Sequence, residues 1–166
     1  MTHELPSGRR VAPSILASDY GAFRVQVQEL LDAGARAFHC DVMDGHFVPP
    51  ITIGTLIVES LRDQVHEAGG WLDVHLMVER PERHVAAFAE AGADSINIHE
   101  EATPHVNYAL NLVRDAGCRA GLAITPATCS PRRAKSADRI DGATRRPLGS
   151  AGVTAAGASS GRSGCR

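Results

Sequence analysis

Three phrases in this chain repeat one device: "DAGARAF" (32–38), "EAGADSI" (90–96) and "DAGCRAG" (115–121). In each, an amphipathic stretch runs into a glycine that stops a helix, and a β-branched or small-residue run follows as a strand. A chain built this way must lay down parallel strands joined by crossover helices, which fixes the class as α/β before any other feature is considered.

The predicted strands are VAPSILA (11–17), RAFHCDVM (36–43), WLDVHLMV (71–78), SINIHE (95–100) and AGLAIT (120–125). Their Val, Ile and Leu content suits strands buried on both faces. Between them, Ile57, Leu61 and Val65 recur at helical spacing, as do Val106, Leu110 and Val113, so each segment offers an apolar stripe to a sheet.

Five strands and four crossovers fit either a doubly wound open sheet or the first part of a (β/α)8 TIM barrel. The strand faces favour the barrel. Side chains alternate along a strand, so His39, Asp41 and Met43 share one face, and Asp73, His75 and Met77 share one face of the next strand. Polar residues on the same face of consecutive buried strands predict a barrel lumen with a site at its C-terminal mouth.

The rhythm stops after Pro126. Residues 1–129 hold 17 acidic and 9 basic side chains, whereas 130–166 hold 2 acidic and 8 basic, so the net charge of −2 describes neither part. The later segment has no aromatic residue, and its only large aliphatics are Ile140, Leu148 and Val153. It cannot bury enough apolar surface to offset its ordering entropy. The expected organisation is a partial barrel domain over 1–129 and an irregular, disordered Arg/Gly/Ala/Ser-rich tail over 130–166, whose composition reads as translation in a wrong frame. The tail lacks the interleaved aromatics and clustered charge of a nucleic-acid arm.

The opening MTHELPSGRR holds no apolar run that would serve as a signal peptide, and no stretch is long enough to span a bilayer, so a cytoplasmic protein without membrane attachment is expected. Cys40, Cys118, Cys129 and Cys165 have no paired spacing and read as reduced structural thiols.

The richest stretch is "FHCDVMDGHFVPP" (38–50). His39 and Asp41 point the same way, and His75 at the matching level of the next strand completes a three-ligand N/O set suited to Zn, Mn, Fe or Co. The competing reading is that buried strand-end histidines merely hydrogen-bond to neighbours. Asp41 is also placed to act as a general base beside a divalent cation. Ser14 is polar enough to touch a ligand, Asp73 is either lumen-facing or buried and paired, and Asp44 before Gly45 reads as a turn residue. Met43 and Met77 read first as core filler. His99 is ambiguous, and His3, His66, His84 and His105 are expected to be solvated.

The blocks "APSILASDYGAF", "FHCDVMDGHFVPPITIG", "LDVHLMVERPERHV", "AGADSINIHEEAT" and "GLAITPAT" closely resemble the ribulose-phosphate 3-epimerase family, in order from Val11 to Thr128. The resemblance implies a TIM barrel that binds one divalent metal, usually zinc, and interconverts D-ribulose 5-phosphate and D-xylulose 5-phosphate in the pentose phosphate pathway through a cis-enediolate. By position it makes Asp41 both metal ligand and acid/base, His39 and His75 the metal histidines, Ser14 and His75 substrate contacts, and Met43 and Met77 the methionines beside the enediolate. A homo-oligomer is compatible with it.

The family pattern continues past "PAT" with a "NPGFGGQ" loop, a second aspartate in a "DGG" context and Gly-rich turns for the phosphate. Residues 129–166 carry none of these, and only "DRID" (138–141) echoes the stretch before the sixth strand. A closed barrel needs about eight strands, whereas five leave two open edges and an uncovered lumen. The expectation is therefore an epimerase by descent whose own activity is crippled. A non-catalytic frameshifted fragment and an epimerase for a related ketose phosphate are the alternatives.

Overall fold

The computed structural model describes residues 11–125 and 128, together with the backbone of 142–145 and 154–155. Within it, strands and helices alternate: β1 (Val11–Ala12), α1 (Phe23–Asp32), β2 (Ala37–Met43), α2 (Thr55–Glu67), β3 (Trp71–Met77), α3 (Val85–Glu90), β4 (Ser95–His99), α4 (Val106–Asp115), β5 (Arg119–Ile124), β6 (Gly142–Arg145) and β7 (Thr154–Ala155).

Strand order decides between the two α/β architectures. The main sheet runs β2-β3-β4-β5-β6, every pair parallel and every neighbour next in sequence. A doubly wound sheet reverses its order at a switch point, whereas an unreversed series is an arc of a TIM barrel. Beyond β2 the first strand continues the arc, since Ser14 bridges His39 in parallel and the His39 amide donates to Pro13 O at 2.9 Å.

That first strand is far shorter than the expected 11–17. Pro13 has no N–H to donate to a ladder, and the Ser14 hydroxyl accepts the Leu16 amide at 3.3 Å, capping a 3-10 turn over Ile15–Ala17. The other four strands lie within one or two residues of expectation. β6 and β7 are additions over the segment expected to be irregular. β6 follows "DRID" directly and takes the next place in the arc, with Gly121 opposite Gly142. β7 pairs antiparallel with β1. The remainder of the 130–166 tail lies outside the described residues.

The repeated glycines do what the repeat requires: Gly34, Gly92 and Gly117 all take positive φ (94°, 108° and 82°), closing a helix in a conformation that L side chains resist. Helix and outer strand faces then pack together. Val27 and Leu31 of α1, Val58, Leu61 and Val65 of α2, Phe88 of α3 and Leu110 and Val113 of α4 meet Phe38, Cys40, Val42, Leu72, Val74, Leu76, Ile96 and Ile98. In α2 the stripe is centred on Val58 rather than Ile57, which sits partly buried at its edge. Among the described residues no helix is long and apolar enough to cross a membrane.

Candidate metal centre

With the outer faces committed to the helices, the inner faces of the strands carry the polar residues. Parallel register sets them in levels: His39 opposite Asp73 and Ser95, Asp41 opposite His75 and Asn97, and Met43 opposite Met77. Gly121 completes the middle level, where a Cβ would lie 1.8 Å from Asn97 Oδ1, so only a glycine lets the amide pass.

His39, Asp41 and His75 are buried, and one ligand atom from each lies within 4.8 Å of the others. Asp41 is the centre of the group. Its Oδ1 lies 3.1 Å from His39 Nε2 and 3.1 Å from His75 Nδ1. Its Oδ2 accepts the Ser14 hydroxyl at 2.6 Å. The two oxygens thus face different partners, one toward the imidazoles and one toward the first strand.

A ligating histidine needs its remote nitrogen held so that the near lone pair faces the metal. His39 meets this requirement through Asp73, whose Oδ2 is 2.7 Å from Nδ1. Asp73 is itself held, by the Asn97 amide at 2.7 Å and by the Ser95 hydroxyl, which also accepts the Trp71 indole N–H at 2.9 Å. Asp73 is both lumen-facing and paired: it lies partly buried on the inner face of β3, with both carboxylate oxygens engaged. His75 has its Nε2 2.9 Å from His99 Nε2. The donor set, its burial and its outer hydrogen bonds all fit a divalent cation.

Electrostatics follow from this packing. Burial opposes charge on His39, but hydrogen bonds to Asp41 and Asp73 outweigh it and raise its pKa to about 9. Burial likewise works against an Asp41 carboxylate, yet the His39 and His75 contacts hold it well below the usual range. Asp73 is lowered in the same way, against its burial, with His39 the main cause. Without metal the centre is therefore an imidazolium between two carboxylates. On the helix side, burial, then the Asp73 and Asp41 charges, push the Cys40 thiol far above its ordinary value, consistent with a structural thiol.

Among the other sequence-stretch residues, Met43 and Met77 sit one level nearer the mouth than Asp41 and His75, Met77 buried and Met43 partly so. Asp44 is a turn residue: its carboxylate accepts the amides of His46, Phe47 and Glu79 at 2.8–2.9 Å. His84 and His105 are exposed as expected, and His3 lies outside the described residues. His66 differs from expectation, being half-buried with Nε2 2.9 Å from Asp94 Oδ2, because Asp94 also accepts the Leu72 amide and sits at the seam of α2 and β3. Cys40 and Cys118 are buried free thiols; Cys129 and Cys165 fall outside the described residues. Ser95, Asn97 and Glu101 were not marked by sequence. Period-two alternation along β4 signals the first two, whereas Glu101 lies in a 3-10 turn that no periodicity marks.

The sequence model of the ribulose-phosphate 3-epimerase family matches residues 10–143. The chain belongs to the ribulose-phosphate 3-epimerase family. It is 47% identical over 119 residues to the ribulose-phosphate 3-epimerase of Bacillus subtilis (strain 168), covering 72% of this chain and 54% of that protein. With the enzyme of the same name from Escherichia coli (strain K12) it shares 46% over 118 residues, 71% of this chain and 52% of the relative. With that of Synechocystis the figures are 46% over 120 residues, 71% and 51%. The chain spans about half the length of the curated relatives it matches.

Proposed function

We propose that this chain carries the metal-binding, first-base half of a ribulose-phosphate 3-epimerase site, acting on D-ribulose 5-phosphate in the cytoplasm. The observation that carries this reading is the division of Asp41: Oδ1 joins His39 Nε2 and His75 Nδ1, while Oδ2 turns to Ser14. The relatives' names support a pentulose phosphate over another ketose phosphate as substrate.

His39, Asp41 and His75 would hold a divalent cation, zinc by preference, which would supply the positive charge that acidifies a proton next to a carbonyl. Asp41, kept ionised by its histidine contacts, takes that proton on Oδ2, whose direction the 2.6 Å hydrogen bond from Ser14 fixes. Met43 and Met77 cover the level above and keep water from the carbanionic carbon.

Epimerisation needs a second acid on the opposite face. Asp73 does not serve, because His39, Ser95 and Asn97 already engage both of its oxygens. The test is proton NMR of D-ribulose 5-phosphate with the zinc-loaded chain in D2O. The reading predicts deuterium incorporation at C3, abolished by Asp41→Asn, and conversion to D-xylulose 5-phosphate much slower than exchange. Absence of C3 exchange would contradict the assignment of Asp41 as base, and epimerisation at the rate of exchange would contradict the half-site.

A further inference from the structure

The support of His39 by Asp73 has a counterpart of different chemistry behind His75. His99, at the end of β4, is buried, with its Nε2 2.9 Å from His75 Nε2 and its Nδ1 3.4 Å from Glu101 Oε2. The His99 ring lies against Phe47, at a centroid distance of 5.0 Å. Glu101 is itself tied to the end of β5: its Oε1 accepts the Thr125 amide at 2.7 Å and the Thr125 hydroxyl at 2.9 Å.

Two imidazole nitrogens 2.9 Å apart must share one hydrogen, and which ring owns it decides whether His75 can ligate. The negative charge of the Glu101 carboxylate, 3.4 Å from His99 Nδ1, favours the proton on that nitrogen. His99 Nε2 is then a lone pair, which accepts a hydrogen from His75 Nε2 and frees His75 Nδ1 for the cation, against the pull of Asp41 Oδ1, 3.1 Å away, which in the metal-free chain favours a proton on His75 Nδ1. The opposite arrangement would leave His75 protonated at Nδ1 and unable to bind metal.

We propose that Glu101 and His99 form a positioning relay that selects the metal-ligating tautomer of His75. Neither residue belongs to the His39–Asp41–His75 ligand group, and the relay links the end of β5 to the metal centre through Thr125. The inference rests on the proposed His39–Asp41–His75 metal site.

The direct test reads ring tautomers by 15N–1H NMR in the full chain loaded with zinc. The relay requires His99 protonated at Nδ1 only and His75 protonated at Nε2 only; His99 protonated at Nε2 would overturn it. Because this is read in the unsubstituted chain, it holds even if a variant fails to fold. Zinc affinity, measured by chelator competition, gives the second readout. His99→Phe should weaken zinc by roughly 10–100-fold, and His99→Gln, which keeps an acceptor in place, should restore it to within a few-fold. The cobalt(II) absorption bands should shift in His99→Phe and return in His99→Gln. Unchanged zinc affinity in His99→Phe beside lost affinity in Asp41→Asn would overturn the relay alone. Unchanged affinity in Asp41→Asn would overturn the metal site and the relay with it.

Discussion

The two faces of β2, β3 and β4 solve the same burial problem in different ways. Outward, Phe38, Cys40, Val42, Leu72, Val74, Leu76, Ile96 and Ile98 meet the helices through non-directional apolar packing. Inward, His39, Asp41, Asp73, His75, Ser95, Asn97 and His99 each have a named polar partner, often two. Buried apolar atoms need only volume, whereas buried polar groups need specific partners at about 3 Å. The outer face should therefore govern stability, and the inner face should govern metal affinity.

The sharpest break is at the centre of the inner face. Asp41→Asn exchanges an anionic ligand for a neutral amide and removes the charge that both histidines face, so zinc affinity should fall by more than the roughly 10–100-fold of an outer-shell change, as read by chelator competition. On the outer face, Leu76→Ala should cost about 2–5 kcal/mol in urea unfolding. Its zinc affinity per folded molecule should stay within a few-fold. If Leu76→Ala instead abolished zinc binding while remaining folded, the division of labour between the faces would be wrong.

Two smaller effects sharpen the inner side. Asp73→Asn keeps an acceptor near His39 Nδ1 but removes its charge, and zinc affinity should drop by about 10–100-fold, less than for Asp41→Asn. The pH dependence follows from His39, whose pKa of about 9 lies above its ordinary 6.5. In the metal-free chain this contribution to stability is complete below pH 6.5 and lost as pH rises through 9. Asp41 acts oppositely, its contribution being present above its ordinary value and lost in acid. Zinc must displace the His39 proton, so its affinity should rise about tenfold per pH unit between 7 and 9, with about one proton released per metal. Calorimetry in buffers of different ionisation enthalpy measures that release.

The same contrast explains what was legible in the sequence. Periodicity reports faces, so four of the five predicted strands, the helical stripes and the lumen residues His39, Asp41, Met43, Asp73, His75 and Met77 could all be read from the chain. The choice of barrel over open sheet needed strand order, though the polar inner faces already pointed to it. Periodicity does not report partners. That Asp73 belongs to His39, or that His99 stands behind His75, depends on inter-strand register and ring orientation. The shortened first strand was missed because Pro13 and the Ser14 cap act locally against an apolar run that otherwise reads as extended.

Zinc K-edge X-ray absorption of the full chain with one equivalent of zinc reads whether His39, Asp41 and His75 form one metal centre. A single His39–Asp41–His75 centre gives a first shell of nitrogen and oxygen alone, with outer-shell scattering from two imidazoles. A sulfur shell at about 2.3 Å, placing zinc on cysteine, or scattering from fewer than two imidazoles, would contradict it.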